Sequence, residues 1–193
     1  MPTDKPQIIL ASASPRRERL LRELGVRFTV VRPDGIEELA GGAAPDVVAM
    51  QNAQRKARAV AGRHPHAMVI GADTIVVLDG KIFGKPRDRD DARRMLGQLA
   101  GHRHEVITGV CLVHRSLDTE LVFADTTRVW MRSLEPAQIA EYHVKIDPLD
   151  KAGAYAIQEH GEGIVERIEG SYNNVMGFPT ERLQATLERL GML

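Results

Sequence analysis

The chain reads as a mixed α/β protein, and three features carry that expectation. Helical and strand-like stretches alternate along most of its 193 residues. Ala67 to Ala72 is apolar throughout, as strands buried on both faces of a sheet are. Two hairpin signals, Asp79-Gly80 and the Leu117-Asp118 connection, break any pure βαβ pattern, so a mixed sheet flanked by helices fits better than a doubly wound one. No linker, repeat or low-complexity segment divides the chain, and one domain over residues 1–193 is expected.

The elements follow from local chemistry. Ile8 to Ala11 is a short apolar run suited to a buried strand. It breaks at Ser12-Ala13-Ser14 and enters a helical pattern behind Pro15, with Ser14 placed to cap it and Gly25 to end it. Val26 to Val31 alternates and is β-branched, as a strand should be. Asp46 is placed to cap a long helix from Val47 to Gly62, with Val48, Ala49, Ala53, Ala57 and Val60 on its apolar side and Arg55 and Lys56 on the more polar one. The Ala67–Ala72 strand carries Asp73-Thr74 at its end, then Ile75 to Leu78, the Asp79-Gly80 turn and Lys81 to Phe83. Asp88 to Ala100 reads as an amphipathic helix. His104–His114 and Glu120–Arg132 read as an antiparallel pair. Pro136 to Val144 is a helix with proline in its first turn. An irregular stretch from Asp147 to Gly163 precedes a strand at Ile164–Ile168, a turn at Gly170 to Asn174 and a last helix at Thr180–Leu190.

Composition bounds the function. Apolar residues make up 43% and charged residues 27% of the chain, as in ordinary soluble domains, and the formal net charge is zero. Zero net charge and few aromatics argue against a nucleic-acid surface. A local basic pocket for a charged small molecule is compatible with it. The single cysteine, Cys111, lies in an apolar context and reads as a buried thiol. No apolar run approaches the ~20 residues a membrane span needs, and Met1 to Gln7 lacks a signal-peptide core, so a cytoplasmic protein without a membrane partner is expected. The P-loop and dinucleotide fingerprints are absent from the sequence. His64/His66 and His102/His104 have no supporting zinc motif. Ser12 and Ser14 have no evident triad partners.

Chemistry concentrates at a few places. The helix start behind Ser14 brings together backbone N–H groups, the Ser12 and Ser14 hydroxyls, Arg16 and Arg17. Helix N-termini attract anions, and arginine adds a fixed bidentate charge, so a phosphate-gripping corner is one reading. An ordinary capped helix with solvated arginines is the other. Asp73 places a carboxylate after a buried strand, a position expensive to desolvate and common for ligand contacts; a turn cap is the alternative. Lys85, rigidified before Pro86, and Lys56, in an alanine-rich helix, are candidate phosphate contacts or solvated lysines. Of Glu37 and Glu38, which point to opposite sides of an extended chain, one is expected to face the site and hold a metal. Gln158 both donates and accepts, which suits the imide edge of a pyrimidine; a surface amide is the alternative.

These stretches together resemble the Maf family of nucleoside triphosphate pyrophosphatases. The resemblance rests on Leu-Ala-Ser-Ala-Ser-Pro-Arg-Arg at 10–17, Gly-Ala-Asp-Thr at 71–74 and Gly-Lys-Pro at 84–86. It continues through Met95-Leu96 to Leu99, His104 with Thr108-Gly109-Val110, Asp-Lys-Ala-Gly-Ala-Tyr at 150–155, Gly170-Ser171-Tyr172 and Val175 to Pro179, in family order over nearly the whole chain. It implies an elongated mixed sheet flanked by helices, two lobes with a central cleft, similar to inosine triphosphate pyrophosphatases. It implies hydrolysis between the α and β phosphates, a divalent cation (Mg²⁺ or Mn²⁺) and a homodimer. By the same resemblance Asp73 is the proton acceptor, Glu38 and Asp73 are metal ligands, and Ser12, Arg16, Arg17, Lys56 and Lys85 serve the phosphates. The family's specificity positions map onto Arg16, Thr74 and Gln158, and Asp150 to Gln158 follows the pattern of its dTTP- and UTP-preferring branch. Two departures stand out: Glu159-His160-Gly161-Glu162 is more acidic than the small, Gly-rich continuation of that pattern, and Phe178 replaces the commoner leucine. A pyrophosphatase for modified nucleotides and a nucleotide-binding regulator of cell division are the alternative functions.

Overall fold

The first apolar run and the helix behind it form one corner of the molecule. In the computed structural model, which describes residues 6–193, β1 (Ile8–Ala11) is buried at every position. The reading of Met1 to Gln7 as lacking a signal peptide falls largely outside the described residues. Ser14 caps α1 (Pro15–Glu23) by accepting the Arg17 N–H, with Pro15 in the first turn. β2 (Phe28–Val31) begins later than the alternation from Val26 predicts, because Val26 is drawn into the core beside Leu20 and Leu21.

α2 (Pro45–Ala61) starts at Pro45 with no side-chain cap. Asp46 therefore does not cap it. Proline, pre-set for the first helical position, starts the helix two residues early and leaves Asp46 in the first turn, where its charge favours the helix dipole.

The largest revision concerns the central strand. β3 (Met68–Leu78) is one strand of 11 residues, so Asp73 lies mid-strand, paired with Gly109, rather than at a strand end. The element that ends at this level is β1, whose last parallel pair is Ala11 with Gly71. Beyond that pair β3 loses its neighbour on one side, and its edge opens.

The remaining elements complete a seven-stranded mixed sheet. β4 (Lys81–Phe83) hairpins onto β3 through Asp79 and Gly80, at φ 48° and 78°, the left-handed pair a type I′ turn demands. α3 (Arg89–Leu99) is capped by Asp88. β5 (Arg103–His114) and β6 (Thr119–Met131) form the long antiparallel pair. α4 (Pro136–Lys145) opens with a capping box from Glu135 and Gln138. After an irregular segment of three 3₁₀ turns come β7 (Val165–Glu169), α5 (Tyr172–Val175) and α6 (Thr180–Arg189). α5 is a short helix where a turn was expected, because the Ser171 hydroxyl accepts the Asn174 N–H and nucleates it. The strand order is β2-β1-β3-β5-β6-β7, with β4 on β3. No helix among the described residues is long and apolar enough to cross a membrane.

Side-chain alternation divides the sheet into two lobes. On one face Ile70, Ala72, Val110 and Leu112 join α1 and α6 in one core, while Val76, Val106 and Val129 join α3 and α4 in another. The row between them is polar: Thr74 and Thr108 face each other in the ladder, with Thr127 nearby. On the opposite face Val69 and Cys111 lie on one side, and Ile75 and Ile107 on the other. Gly71, Asp73 and Gly109 occupy the gap. Asp73 and Thr74 thus sit on opposite faces at the same boundary, where the two lobes meet.

Candidate active site

α2 lies against the sheet only because two glycines let it. A Cβ on Gly71 would lie 2.6 Å from the Ala53 carbonyl oxygen, and one on Gly109 2.3 Å from that of Ala49. This close approach brings Asn52 and Lys56, one helical turn apart, onto Asp73. Asp73 is 5% exposed. Asn52 Nδ2 donates to its Oδ2 at 2.9 Å, and Lys56 Nζ donates to its Oδ1 at 2.6 Å. Lys56 also pairs with Glu38 Oε1 at 2.6 Å. Asn52 further binds both the N–H and the C=O of Leu39, holding the segment around Glu38 over the carboxylate. Lys56 therefore points into the site, not to the solvated side of α2 where the sequence placed it with Arg55. Asn52 was not singled out. Its signal was its place in the stripe Val48, Ala49, Asn52, Ala53, Lys56, Ala57, Val60, which puts it on the buried face.

On the other face of β3, Arg17 is held by its backbone surroundings. Its Nε donates to the Gly177 carbonyl at 2.9 Å, Nη1 to that of Ala72 at 2.8 Å, and Nη2 to Thr74 Oγ1 at 2.9 Å. Thr74 lies 3.0 Å from Thr108 Oγ1. Desolvation lowers the Arg17 pKa, and the nearby Asp73 charge pulls the other way. Arg17 thus ties α1 to β3 and to the Gly177 backbone and supplies fixed positive charge. Ser12 is buried, and its hydroxyl accepts the Ser14 N–H at 3.1 Å.

The irregular segment closes the far side. Arg16 Nη1 bonds Asp150 Oδ2 at 2.8 Å, and the buried Lys151 bonds Asp150 Oδ1 at 2.7 Å. Burial would raise the Asp150 pKa, but Lys151 and Arg16 outweigh it and hold the carboxyl below its ordinary value. Gly153 and Ala154 both adopt left-handed backbone, at φ 69° and 62°. For alanine that is strained, and the neighbours fix it. His143 Nε2 lies 2.9 Å from the Ala154 carbonyl, the Tyr142 hydroxyl donates to the Ala156 carbonyl at 3.0 Å, and His104 Nε2 lies 2.8 Å from the Tyr155 hydroxyl. Lys151, Tyr142 and the two histidines were not identified from sequence as site residues. His104 lies far from the other three in the chain, and only the fold brings it to Tyr155.

Nine of the residues singled out from the sequence line one cavity of about 530 Å³: Ser12, Arg16, Arg17, Glu38, Lys56, Asp73, Thr74, Lys85 and Gln158. That volume lies within the range of small-ligand sites. Glu37 does not line it; its carbonyl accepts from Arg55. Lys85 is exposed at the mouth. Five cationic side chains face three acidic ones in the lining, so a chain of zero net charge carries a locally basic cavity. Anionic groups are favoured there, next to a buried carboxylate able to accept a proton.

The residues also fit a divalent cation. No group of three or more potential metal ligands converges among the described residues. Two carboxylates do: Glu38 Oε1 and Asp73 Oδ1 share one cation, the Lys56 ammonium, at 2.6 Å each. Mg²⁺ commonly takes one or two carboxylates and completes its shell with phosphate oxygens and water. The donor set therefore suits an ion that arrives with a phosphate ligand.

The profile described as Maf-like protein matches residues 7–190. A dTTP/UTP pyrophosphatase of Symbiobacterium thermophilum is 46% identical over 185 residues, covering 96% of this chain and 94% of that protein. One from Myxococcus xanthus is 45% identical over 192 residues, covering 100% and 96%. One from Geobacter sulfurreducens is 47% identical over 190 residues, covering 98% and 100%. Among solved structures, a Ham1 protein of Staphylococcus aureus superposes with a TM-score of 0.56 at 18% identity, covering 95% of this chain and 99% of that one. One from Coxiella burnetii gives 0.52 at 15%, with the same coverage. At such identities the Ham1 likeness is one of fold alone. The family profile spans nearly the whole chain and the pyrophosphatases match end to end, so this chain belongs to the Maf family.

Proposed function

We propose that the protein hydrolyses nucleoside triphosphates, preferentially dTTP and UTP, to the nucleoside monophosphate and pyrophosphate, with Asp73 as general base. The observation that carries this reading is the Asp73 carboxylate, buried yet cavity-lining and fixed through both oxygens by Asn52 and Lys56. The names of relatives near 45% identity support the substrate.

In this mechanism the triphosphate lies along Ser12, Arg16, Lys56 and Lys85, and the base reaches Thr74 and Gln158. Asp73 takes a proton from a water that attacks the α-phosphorus. The new P–O bond forms as the bond from that phosphorus to the α–β bridging oxygen breaks, and pyrophosphate leaves with the electron pair. Lys56, Lys85 and Arg16 stabilise the charge that builds on the leaving group, and the immobile Arg17 adds a fixed field. Glu38 and Asp73 would hold a divalent cation, Mg²⁺ or Mn²⁺, which neutralises phosphate charge when bound. Preorganisation is the main contribution of the chain, since Asn52 and Lys56 hold Asp73 in place before substrate arrives.

The test is pyrophosphate release from a panel of nucleoside triphosphates with Mg²⁺ or Mn²⁺. Wild type should favour dTTP and UTP, and Asp73→Asn should lower kcat by about 10²–10⁴, the usual contribution of a positioned base. Preference for an N7-methylated purine would keep the mechanism and reject the pyrimidine assignment. No release from any triphosphate would leave a nucleotide-binding protein.

A further inference from the structure

Gln158 lines the cavity, but the residue that sets its orientation does not. Gln158 Nε2 donates to Glu159 Oε1 at 3.1 Å. The same oxygen lies 3.6 Å from Lys151 Nζ. Lys151 is itself anchored, donating to the Asp147 carbonyl at 2.8 Å and to Asp150 Oδ1 at 2.7 Å. Asp150 in turn binds Arg16 at the start of α1. One chain of polar contacts thus runs from the phosphate corner, through Asp150, Lys151 and Glu159, to the amide at the other end of the segment. Glu159 does not itself line the cavity, and it belongs to the acidic stretch where the sequence departs from the family pattern.

A glutamine that faces a base can present either its oxygen or its NH₂. A carboxylate only accepts hydrogen bonds, so Glu159 can satisfy the NH₂ and not the oxygen. With the NH₂ tied back, Oε1 is the amide atom left to accept from a base in the cavity. Uracil and thymine carry a donor at N3, whereas cytosine carries a lone pair there. An acceptor fixed at this point pairs with the first two and opposes the third.

We infer that Glu159 is a specificity-determining positioning residue: it locks the Gln158 amide so that the site selects bases with an N3–H. This inference rests on the pyrimidine triphosphate reading above. Lys151 keeps Glu159 in place and links the lock to the phosphate corner through Asp150.

The test compares kcat/KM for UTP and CTP, with Mg²⁺, in wild type, Glu159→Ala and Glu159→Gln. The ratio is measured within each preparation, so it is insensitive to the fraction of folded enzyme. Removing the acceptor lets the Gln158 amide rotate, and Glu159→Ala should lower the UTP-to-CTP ratio by about tenfold, the worth of one well-placed hydrogen bond. Glu159→Gln keeps an acceptor oxygen beside Lys151 and should hold the ratio within about threefold of wild type. A ratio unchanged in Glu159→Ala overturns the inference. A fall in Glu159→Gln as large as that in Glu159→Ala also overturns it, because the charge and not the acceptor would then be responsible. A wild type with no preference for UTP over CTP rejects the parent reading, and this one with it, before any variant is compared.

Discussion

Gly109 stands directly opposite Asp73 in the β3–β5 ladder, and a Cβ at Gly109 would lie 2.3 Å from the Ala49 carbonyl oxygen of α2. The residue that lets the helix down onto the sheet is thus the cross-strand partner of the proposed base. Packing and chemistry are joined at one pair. The helix backbone can approach only where the sheet has no side chain, and that approach places Asn52 and Lys56 within bonding distance of the carboxylate.

Gly109→Ala should therefore damage stability and activity together. The added methyl meets backbone rather than a flexible side chain, so α2 must shift. Overpacking of this kind costs about 1–3 kcal/mol. A displacement of about 1 Å at Asn52 and Lys56 should lower kcat by about a hundredfold. Gly62→Ala, at the end of the same helix, meets its nearest neighbour at an ordinary 3.6 Å and serves as the control. Urea unfolding and steady-state kinetics of the two variants give the comparison; equal behaviour would refute the packing argument.

Arg17→Lys tests whether Arg17 is a strut or a mobile phosphate hook. The guanidinium satisfies the carbonyls of Gly177 and Ala72 and the Thr74 hydroxyl at once. A lysine ammonium keeps the charge but cannot span all three in this planar fork. Each buried acceptor left unpaired costs about 1–3 kcal/mol. The expected result is a marked drop in unfolding free energy with no substrate present. A variant as stable as wild type but with raised KM would instead make Arg17 a direct phosphate contact.

The parts of the fold legible in the sequence were those set by local chemistry. Ser14-Pro15 began a helix and Asp79-Gly80 made a hairpin because caps and tight turns depend on a few adjacent residues. Asp73 stood out because a carboxylate beside Met68 to Ala72 is costly wherever the chain folds. Its place in mid-strand was not legible, because the opening of the β3 edge depends on where β1 stops. The same limit hid Asn52 and Lys151. An amide among alanines and a lysine beside an aspartate have ordinary solvated readings, and only nonlocal partners, Asp73 and Leu39 for one and Glu159 for the other, give them work to do.

The buried His104 makes stability depend on pH in a direction that can be worked out. Burial pushes its pKa from the ordinary 6.5 down to about 4. One ring nitrogen faces the Tyr155 hydroxyl, and Nδ1 has no partner among the described residues. The neutral ring is accommodated, while protonation would bury a charge. The unfolded chain therefore takes up a proton near pH 6.5 that the folded chain refuses until about pH 4. Stability is fully present above the unfolded value and is lost as pH falls through that window. From this group alone the loss between pH 7 and pH 5 is about 2 kcal/mol. His143, also lowered mainly by burial, adds a contribution of the same sign. His104→Gln keeps a polar partner for Tyr155 but cannot titrate, so its urea-unfolding free energy should decline less steeply over this range than that of wild type. Staying above pH 5 separates the effect from the carboxylates, including Asp150, which is held below its ordinary range. Equal slopes in the variant and wild type would show that the His104 ring is not the group that resists protonation.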